Sequence, residues 1–198
     1  VKKLKTNSGA TDLYYLRTIQ DSVKIREKLR NKNKLTIVGA GYIGLEIAST
    51  AIKQGVEVRV LELENRVMGR VVSSEISDFL QKKHQSEGVE FKFNASIVDI
   101  EDQGKLKKII CSNGSFFNTD VVIVGVGIKP NDKLAKSSGL KCDNGILVDD
   151  IGQTSDPNIF AVGDCSNHPN KIFKQRLRLE SVQNAVEQAK SIAAGIAG

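Results

Sequence analysis

Three glycines, Gly39, Gly41 and Gly44, have the spacing of a phosphate-binding loop. They follow an apolar stretch over residues 35–38 and open an apolar helical pattern, which is the strand–turn–helix context that this spacing requires. In such a unit the first glycine makes a tight turn, the second lets the backbone approach a pyrophosphate, and the third lets the helix pack on the strand. Unpaired N–H groups at the helix start favour bound phosphate. The pattern predicts a dinucleotide site, and the alternative is a glycine turn in an ordinary α/β unit.

One carboxylate indicates which dinucleotide this site would prefer. Glu62 stands at the end of the next predicted strand, 23 residues after Gly39. A carboxylate there accepts hydrogen bonds from the ribose hydroxyls and repels a 2′-phosphate, which favours NAD(H) over NADP(H). Arg66 and Arg70 follow closely. Because a nearby arginine can bind a 2′-phosphate, these two residues keep NADP(H) open.

Two further positions have the residue types that a nicotinamide pocket needs. Glu46 lies one turn into the helix after the loop, and the alternative is an ordinary solvent-facing glutamate. Gly125 and Gly127 follow a continuous apolar stretch and would let a planar ring approach the backbone. The alternative for this pair is that the glycines simply end a strand.

The elements that would position these residues indicate an α/β fold. Apolar runs predict strands over residues 35–38, 56–62 and 120–127, with a short-stranded antiparallel meander over 89–120. Residues 144–165 predict two more short strands, the second ending in an acidic turn at Asp164. The predicted helices cover residues 18–33 (with Thr18 or Asp21 as cap), about 41–53, 73–88 and 178–197.

Composition and cysteine spacing exclude several classes of protein. No apolar run in the 198 residues approaches the length of a membrane span, and 40% hydrophobic residues suit a globular protein. Cys111, Cys142 and Cys165 form no C-x-x-C pair, which argues against a disulfide framework and a zinc site. We expect three isolated buried thiols in a reducing cytoplasm. His84, on a charged helix face, and His168, in a loop, have no partner for a catalytic triad.

The positive net charge of +6 is concentrated at the start of the chain. Residues 1–34 contain ten Lys and Arg against three Asp and Glu, whereas the remaining residues contain 19 against 20. This stretch could be a surface for an acidic partner protein or for nucleic acid, but a solvated helix with a lysine-rich lead-in is the commoner case. We expect no nucleic-acid or membrane partner.

Several stretches, taken in order, resemble one family over essentially the whole chain. They are YLRTIQDSVKIREKL (15–29), LTIVGAGYIGLEIAS (35–49), DVVIVGVGIKPN (120–131), TSDPNIFAVGDCSN (154–167) and RLESVQNAVEQAKSIAAGI (178–196). They resemble the two-dinucleotide flavoprotein oxidoreductases, and within them the ferredoxin reductases of the putidaredoxin or rubredoxin reductase type. The last two stretches together are the most specific.

The resemblance implies a domain organisation. Residues 1–128 would form a Rossmann-like NAD-binding domain, with residues 1–15 as a linker-like lead-in and with helices, a parallel sheet and an antiparallel meander. Residues 129–198 would form the second segment of an incomplete FAD-binding domain. In this family a first FAD segment precedes the NAD domain and a C-terminal domain follows. We therefore expect the chain to be the middle of a larger enzyme and to be inactive alone.

The resemblance also implies two sets of site residues. The implied NAD(H) site consists of Gly39, Gly41, Tyr42, Ile43, Gly44, Glu46, Glu62, Arg70, Gly127 and Ile128. The implied FAD site consists of Asp164, Glu180, Ser181 and Val182. Glu46 would lie by the nicotinamide, with Gly127 and Ile128 lining its pocket. Asp164 would bind the ribityl and phosphate region, and the other three would lie near the isoalloxazine. Some relatives have tryptophan where Val182 stands.

The implied activity is hydride transfer from NADH to FAD, followed by single-electron steps to a small iron–sulfur protein, a ferredoxin or a rubredoxin. The hydride step requires no protein acid or base. Alternatives within the superfamily are a disulfide or persulfide reductase and a nitrite reductase flavoprotein module. A non-catalytic NAD-binding module is the alternative from another class. The thioredoxin reductase type is disfavoured because the chain has no C-x-x-C.

Overall fold

The computed structural model describes residues 1–31 and 34–198. These residues form two compact units, Val1–Ile128 and Lys129–Gly198. The strands of the first unit are β1 (Leu13–Tyr14), β2 (Lys34–Val38), β3 (Glu57–Leu61), β4 (Glu90–Lys92), β5 (Ile97–Gln103), β6 (Leu106–Cys111), β7 (Phe116–Thr119) and β8 (Val121–Val124). Its helices are α1 (Ile19–Leu29), α2 (Tyr42–Lys53) and α3 (Ser74–Ser86).

A five-stranded parallel sheet organises the first unit, in the order β1-β8-β2-β3-β4. All four residues of β8 are buried, as expected for a strand covered on both faces. Residues 89–94 were predicted to begin the meander, but β4 belongs to the parallel sheet. The pairing of Val60 with Phe91 shows this register. A short run cannot reveal from its own sequence which neighbour it will pair with.

The antiparallel meander predicted for the first unit is present as β5-β6-β7. Its Ile100 and Ile109 are fully buried and pack in one cluster with Val38 and Val124 of the parallel sheet. Leu35, on the opposite face of the sheet from Val38, packs in a second cluster that includes Ala48 of α2. The parallel sheet thus lies between two apolar layers.

Local sequence signals start the helices of the first unit. Thr18 and Asp21 form a reciprocal capping box, so both predicted caps of α1 are used. Ser73 caps α3. Helix α1 ends at Leu29, earlier than predicted, and the last two predicted positions, 32 and 33, lie outside the described residues.

The lead-in is not linker-like, which corrects our expectation for residues 1–15. The Asp99 carboxylate accepts hydrogen bonds from the N–H groups of Asn7 at 2.9 Å and Ser8 at 3.0 Å. The Asp102 carboxylate accepts one from the N–H of Thr11 at 3.1 Å. Leu13–Tyr14 then forms β1, which pairs with β8. Residues 1–12, here called the strap, are therefore fastened to β5 by side chains about 90 residues away along the chain.

The second unit contains α4 (Lys133–Ser137), β9 (Ile146–Leu147), β10 (Ser166–Asn170), β11 (Gln175–Leu177) and α5 (Val182–Ala197). The strands form one sheet in the order β11-β10-β9. Two predictions were wrong here. The stretch before Asp164 forms only an isolated bridge at Phe160, and the strand follows Asp164. Helix α5 begins after residue 181, not at 178, because Ser181 caps it.

The second unit buries few side chains. Its buried hydrophobic residues are Ala135, Val148 and Ala161. No residue of α5 is buried within the described chain, and Ala185, Gln188 and Ile192 are among its partly buried positions. Among the described helices none is long and apolar enough to cross a membrane.

Candidate functional site

Gly39 makes the turn that follows β2. Its φ of +104° lies in the region that residues with a side chain rarely adopt, and its N–H donates to the carbonyl of Leu61 at 2.8 Å. A Cβ at this position would lie 2.5 Å from the carbonyl oxygen of Gly125. Conformation and space therefore both require glycine here.

Gly41 and Gly44 surround the start of α2 in different ways. A Cβ at Gly44 would overlap the carbonyl oxygen of Gly39, so the helix packs directly on the turn. A Cβ at Gly41 would have no heavy atom of the described chain within 4 Å. Gly41 is also the N-cap of α2, and its cap provides no side-chain hydrogen bond. No side chain therefore caps the start of the helix, and the space beside Gly41 is open, an arrangement that suits a phosphate.

Glu62 lies beside this loop because β3 pairs with β2 in parallel register. One oxygen of its carboxylate accepts the N–H of Ala40 at 2.6 Å, and the other accepts the N–H of Glu64 at 2.9 Å. Each carboxylate oxygen can accept more than one hydrogen bond. The group is therefore held at the loop with capacity left for the hydroxyls of a ribose.

The two arginines after β3 have different surroundings. The guanidinium of Arg66 donates to the carbonyls of Val72 at 3.0 Å, Ser73 at 3.1 Å and Gly69 at 2.7 Å. Arg66 thus braces the chain between β3 and α3. Arg70 is exposed. Of the two arginines, only Arg70 therefore has an exposed side chain.

The remaining NAD(H) candidates lie on α2 and after β8. Tyr42 is 60% exposed, and Ile43 and Glu46 are exposed on the same helix. Gly127 is exposed with a φ of +95°, and Ile128 is partly buried. The end of β8 is next to the glycine loop, because the N–H of Gly125 donates to the carbonyl of Val38 at 2.7 Å.

The strap contacts the turn after β8. The N–H of Lys2 donates to the carbonyl of Gly127 at 2.9 Å. Leu4 and Ala10 of the strap pack against the same apolar cluster as Val126. Sequence reasoning missed this contact, because no local pattern marks residues 1–12 as partners of β8.

The FAD candidates lie in the second unit. Asp164 is exposed in a 3₁₀ turn, Gly163–Cys165, which Gly163 enters with a φ of +73°. Glu180 is also exposed, Ser181 accepts the N–H of Asn184 at 3.2 Å, and Val182 is 80% exposed. Exposed side chains at a turn and a helix start are available to a ligand.

Two residues that sequence reasoning missed hold the turn that contains Asp164. Arg178 donates to the carbonyl of Asp164 at 3.0 Å and pairs with the Glu180 carboxylate at 2.7 Å. Gln188 accepts the N–H of Gly163 at 2.7 Å. The sequence pattern predicts Arg178 inside the last helix, whereas it precedes α5 in the structure. Gln188 lies about one helical turn after Ala185. That spacing places both residues on one face of α5, which was the signal that Gln188 points toward the unit.

The histidines and cysteines provide no further site. His84 packs edge-on against Phe91, and burial lowers the pKa of its imidazole below the ordinary value. His168 lies in β10, not in a loop as predicted. Only Cys111 is buried, whereas Cys142 and Cys165 are partly exposed, which corrects the prediction for these two thiols. Within residues 1–31 and 34–198 no cluster of ligating side chains could hold a metal.

Comparisons with known proteins agree with this fold. The chain is 41% identical over 192 residues to putidaredoxin reductase of Pseudomonas putida, which covers 96% of the chain and 46% of that protein. The crystal structure of the ferredoxin reductase for the CYP199A2 system of Rhodopseudomonas palustris superposes with a TM-score of 0.92 and 40% identity, over 98% of the chain and 48% of that structure.

A structure from another branch is also similar. The NAD-dependent persulfide reductase of A. fulgidus superposes with a TM-score of 0.90 and 29% identity, over 100% of the chain and 37% of that structure. The chain therefore spans half or less of the length of these three proteins. The sequence model described as pyridine nucleotide-disulphide oxidoreductase matches residues 2–189. The chain belongs to the pyridine nucleotide-disulphide oxidoreductase family.

Proposed function

We propose that this chain is the NAD(H)-binding part of a flavoprotein that passes electrons from NADH through FAD to a small iron–sulfur protein, a ferredoxin or a rubredoxin. The observation that carries the proposal is the glycine loop together with the Glu62 carboxylate held at 2.6 Å from the N–H of Ala40. The similar reductases for putidaredoxin and ferredoxin support the class of acceptor.

The first unit, residues 1–128, is the proposed NAD domain. The open space at Gly41 fits a pyrophosphate, with Gly39 and Gly44 shaping the turn beneath it. Glu62 binds the adenosine ribose, and Glu46 lies toward the nicotinamide. The remaining proposed contacts are Tyr42, Ile43, Arg70, Gly127 and Ile128, of which all but Ile128 are exposed.

NADH is the proposed donor, in preference to NADPH. The Glu62 carboxylate would repel a 2′-phosphate. Arg66, one of the two arginines that kept NADPH open, donates to three backbone carbonyls and is committed to the chain between β3 and α3. Arg70 alone of the pair remains available to the cofactor.

The second unit, residues 129–198, is the proposed second segment of an FAD domain. Asp164 binds the ribityl and phosphate region, and Glu180, Ser181 and Val182 lie near the isoalloxazine. The exposed turn at Asp164 and the exposed start of α5 fit this assignment, because both leave polar groups facing away from the unit's own core.

The residues bind and orient, and they transfer no proton in the proposed reaction. The bound nicotinamide and flavin supply the two-electron and one-electron chemistry. The glycine loop positions the pyrophosphate, Glu62 sets the register of the ribose, and Glu46 and the Gly127 turn limit where the nicotinamide lies. Three free cysteines, well separated in sequence, support a cytoplasmic location.

The test uses the full natural protein that contains this chain, purified with its flavin. We expect NADH to bleach the flavin absorbance in a rapid-mixing experiment far faster than NADPH, and a ferredoxin or rubredoxin to reoxidise it. Faster reduction by NADPH would contradict the donor assignment. A sample without flavin would contradict the proposed function itself.

Persulfide reduction is the second candidate, favoured by the 0.90 TM-score to the persulfide reductase over the whole chain. A persulfide substrate in place of the iron–sulfur protein separates the two. Reoxidation by the persulfide, with no electron transfer to a ferredoxin or rubredoxin, would favour this alternative.

A further inference from the structure

We propose that Arg178 is the positioning residue of the flavin site, because its guanidinium fixes the Asp164 turn and the Glu180 carboxylate at the same time. This inference rests on the proposed function, which assigns Asp164 and Glu180 to FAD. Arg178 itself is not among the residues assigned to either cofactor. It acts through the two residues that it holds.

The polar contacts of Arg178 among the described residues lie within the second unit. Its Nη1 atom donates to the carbonyl oxygen of Asp164 at 3.0 Å and lies 2.7 Å from a carboxylate oxygen of Glu180. Its Nε atom donates to the side-chain oxygen of Asn144 at 3.3 Å. Solvent reaches 10% of the Arg178 side-chain surface but 43% of the Glu180 side-chain surface. The largely covered Arg178 cation thus pairs with a Glu180 carboxylate that is more exposed than the cation itself.

The backbone next to the Arg178 side chain requires a glycine at position 145. Gly145 has a φ of +118°, and a Cβ there would lie 3.0 Å from Cδ of Arg178 and 2.7 Å from the carbonyl oxygen of Cys165. The preceding Asn144, which accepts the bond from Nε, also has a positive φ of 45°. A side chain at position 145 would therefore crowd both the arginine stem and the backbone of Cys165.

A second side chain holds the other end of the same turn. The side-chain oxygen of Gln188 on α5 accepts the N–H of Gly163 at 2.7 Å and the hydroxyl of Ser166 at 3.0 Å. Arg178, which precedes Gln188 along the chain, holds the carbonyl of Asp164 between these two positions of the turn. The backbone of the turn is thereby fixed while the Asp164 carboxylate stays exposed. A turn fixed before the ligand arrives loses less entropy on binding.

Removal of the guanidinium has two separable consequences. The carbonyl of Asp164 loses its donor, which loosens the turn and weakens FAD binding. Glu180 loses its counter-charge, and an uncompensated negative charge near the isoalloxazine disfavours the reduced flavin. The first effect appears in the FAD dissociation constant and the second in the midpoint potential.

The experiment compares Arg178→Met with Arg176→Met in the full natural protein. Arg176 is the matched control, because its guanidinium donates to the carbonyls of Val148 and Asn167 and contacts neither Asp164 nor Glu180 in the described chain. We expect Arg178→Met to raise the FAD dissociation constant about tenfold or more, the range for loss of a hydrogen bond with a charged partner. We also expect a lower midpoint potential. Arg176→Met should leave both values near those of the parent protein.

Two further variants keep the inference testable if Arg178→Met does not fold. Arg178→Lys keeps the charge and loses the planar fork, so we expect a potential near the parent value with weakened FAD binding. Glu180→Gln should raise the potential and change FAD affinity less than Arg178→Met. An unchanged FAD affinity in Arg178→Lys, together with an unchanged potential in Glu180→Gln, would overturn the role of Arg178. A parent protein that binds no FAD would instead overturn the proposed function and, with it, this inference.

Discussion

The two compact units hold their candidate site residues by different means. In the first unit, Gly39 and Gly44 are fixed by backbone packing above a core in which Ile37, Val58 and Val121 are fully buried. In the second unit, the Asp164 turn is fixed by the side chains of Arg178 and Gln188. The buried hydrophobic residues of that unit are small or few.

This difference indicates where each site is sensitive. Packing of backbone on backbone tolerates no added atom, so the glycine loop should fail abruptly when a side chain is introduced at Gly39 or Gly44. Polar contacts made by long side chains can be lost one at a time, so the Asp164 turn should weaken in steps. The following predictions test this contrast, beginning with the largest effect.

The largest effect is expected for Gly39→Ala. The substitution puts a side chain on a residue with left-handed φ and places its Cβ 2.5 Å from the carbonyl oxygen of Gly125. We expect the free energy of unfolding to fall by about 3 kcal/mol. We also expect the variant to lose NADH binding. Chemical unfolding and calorimetric NADH titration measure the two quantities. Gly55→Ala is the control, because Gly55 has a φ of +77° without any described atom within 4 Å of its Cβ position. It should lose only about 1 kcal/mol. Equal losses would contradict a packing role for Gly39.

The next effect is expected for Glu62→Gln. It removes the negative charge at the loop, and we expect NADH affinity to fall roughly tenfold, with a smaller loss for NADPH, because a charge-assisted hydrogen bond to ribose is replaced by a neutral one. Titration with each nucleotide measures the ratio of the two affinities. Glu57→Gln is the control, because Glu57 begins β3, at the end opposite to Glu62. Its carboxylate lies 3.9 Å from the ammonium group of Lys34. An unchanged ratio in Glu62→Gln would argue against its contact with ribose.

Helix α5 should exchange its amide hydrogens faster than α2 in the chain of residues 1–198. No residue of α5 is buried in the described chain, whereas Gly44, Leu45, Ala48 and Ala51 of α2 are buried. Hydrogen exchange followed by mass spectrometry resolves the two helices. Equal protection of both helices would show that the second unit is more stable than its buried side chains indicate.

The smallest effect is expected for the strap. The hydrogen bond from Lys107, and those from Thr11, lower the pKa of Asp102 to about 2. Because the folded pKa is below the ordinary value of 3.8, Asp102 stabilises the fold above about pH 4, and this contribution is lost as the pH falls toward 2.

We therefore expect Asp102→Asn to lower the thermal unfolding temperature slightly at neutral pH and to flatten its dependence on pH between about 4 and 2. Glu101→Gln is the control, because its carboxylate lies 3.8 Å from Lys108 and does not contact the strap in the part of the chain that the structure describes. The same pH profile in Asp102→Asn as in the parent chain would contradict the fastening of the strap.

Features coded by neighbouring residues were predictable. The capping box of Thr18 and Asp21 spans four residues, and the strand–glycine–helix pattern spans the stretch from Leu35 to Lys53. In both cases the physical cause is local, namely N–H groups that need a nearby acceptor or a turn that needs glycine. The predicted ends of such elements were less accurate. The sequence pattern places the start of the last helix at Arg178, whereas the cap at Ser181 makes α5 begin at Val182.

The amino-acid sequence by itself determined the α/β class, the glycine turn and the family of this protein, because these depend on short patterns of residue types in order along the chain. Tertiary structure alone decided that Asp99 and Asp102 fasten the strap, that Arg66 is committed to backbone carbonyls, and that Arg178 joins Asp164 to Glu180. A charged side chain can reach many partners within its length. Its sequence neighbours do not specify the one that folding brings within hydrogen-bond distance.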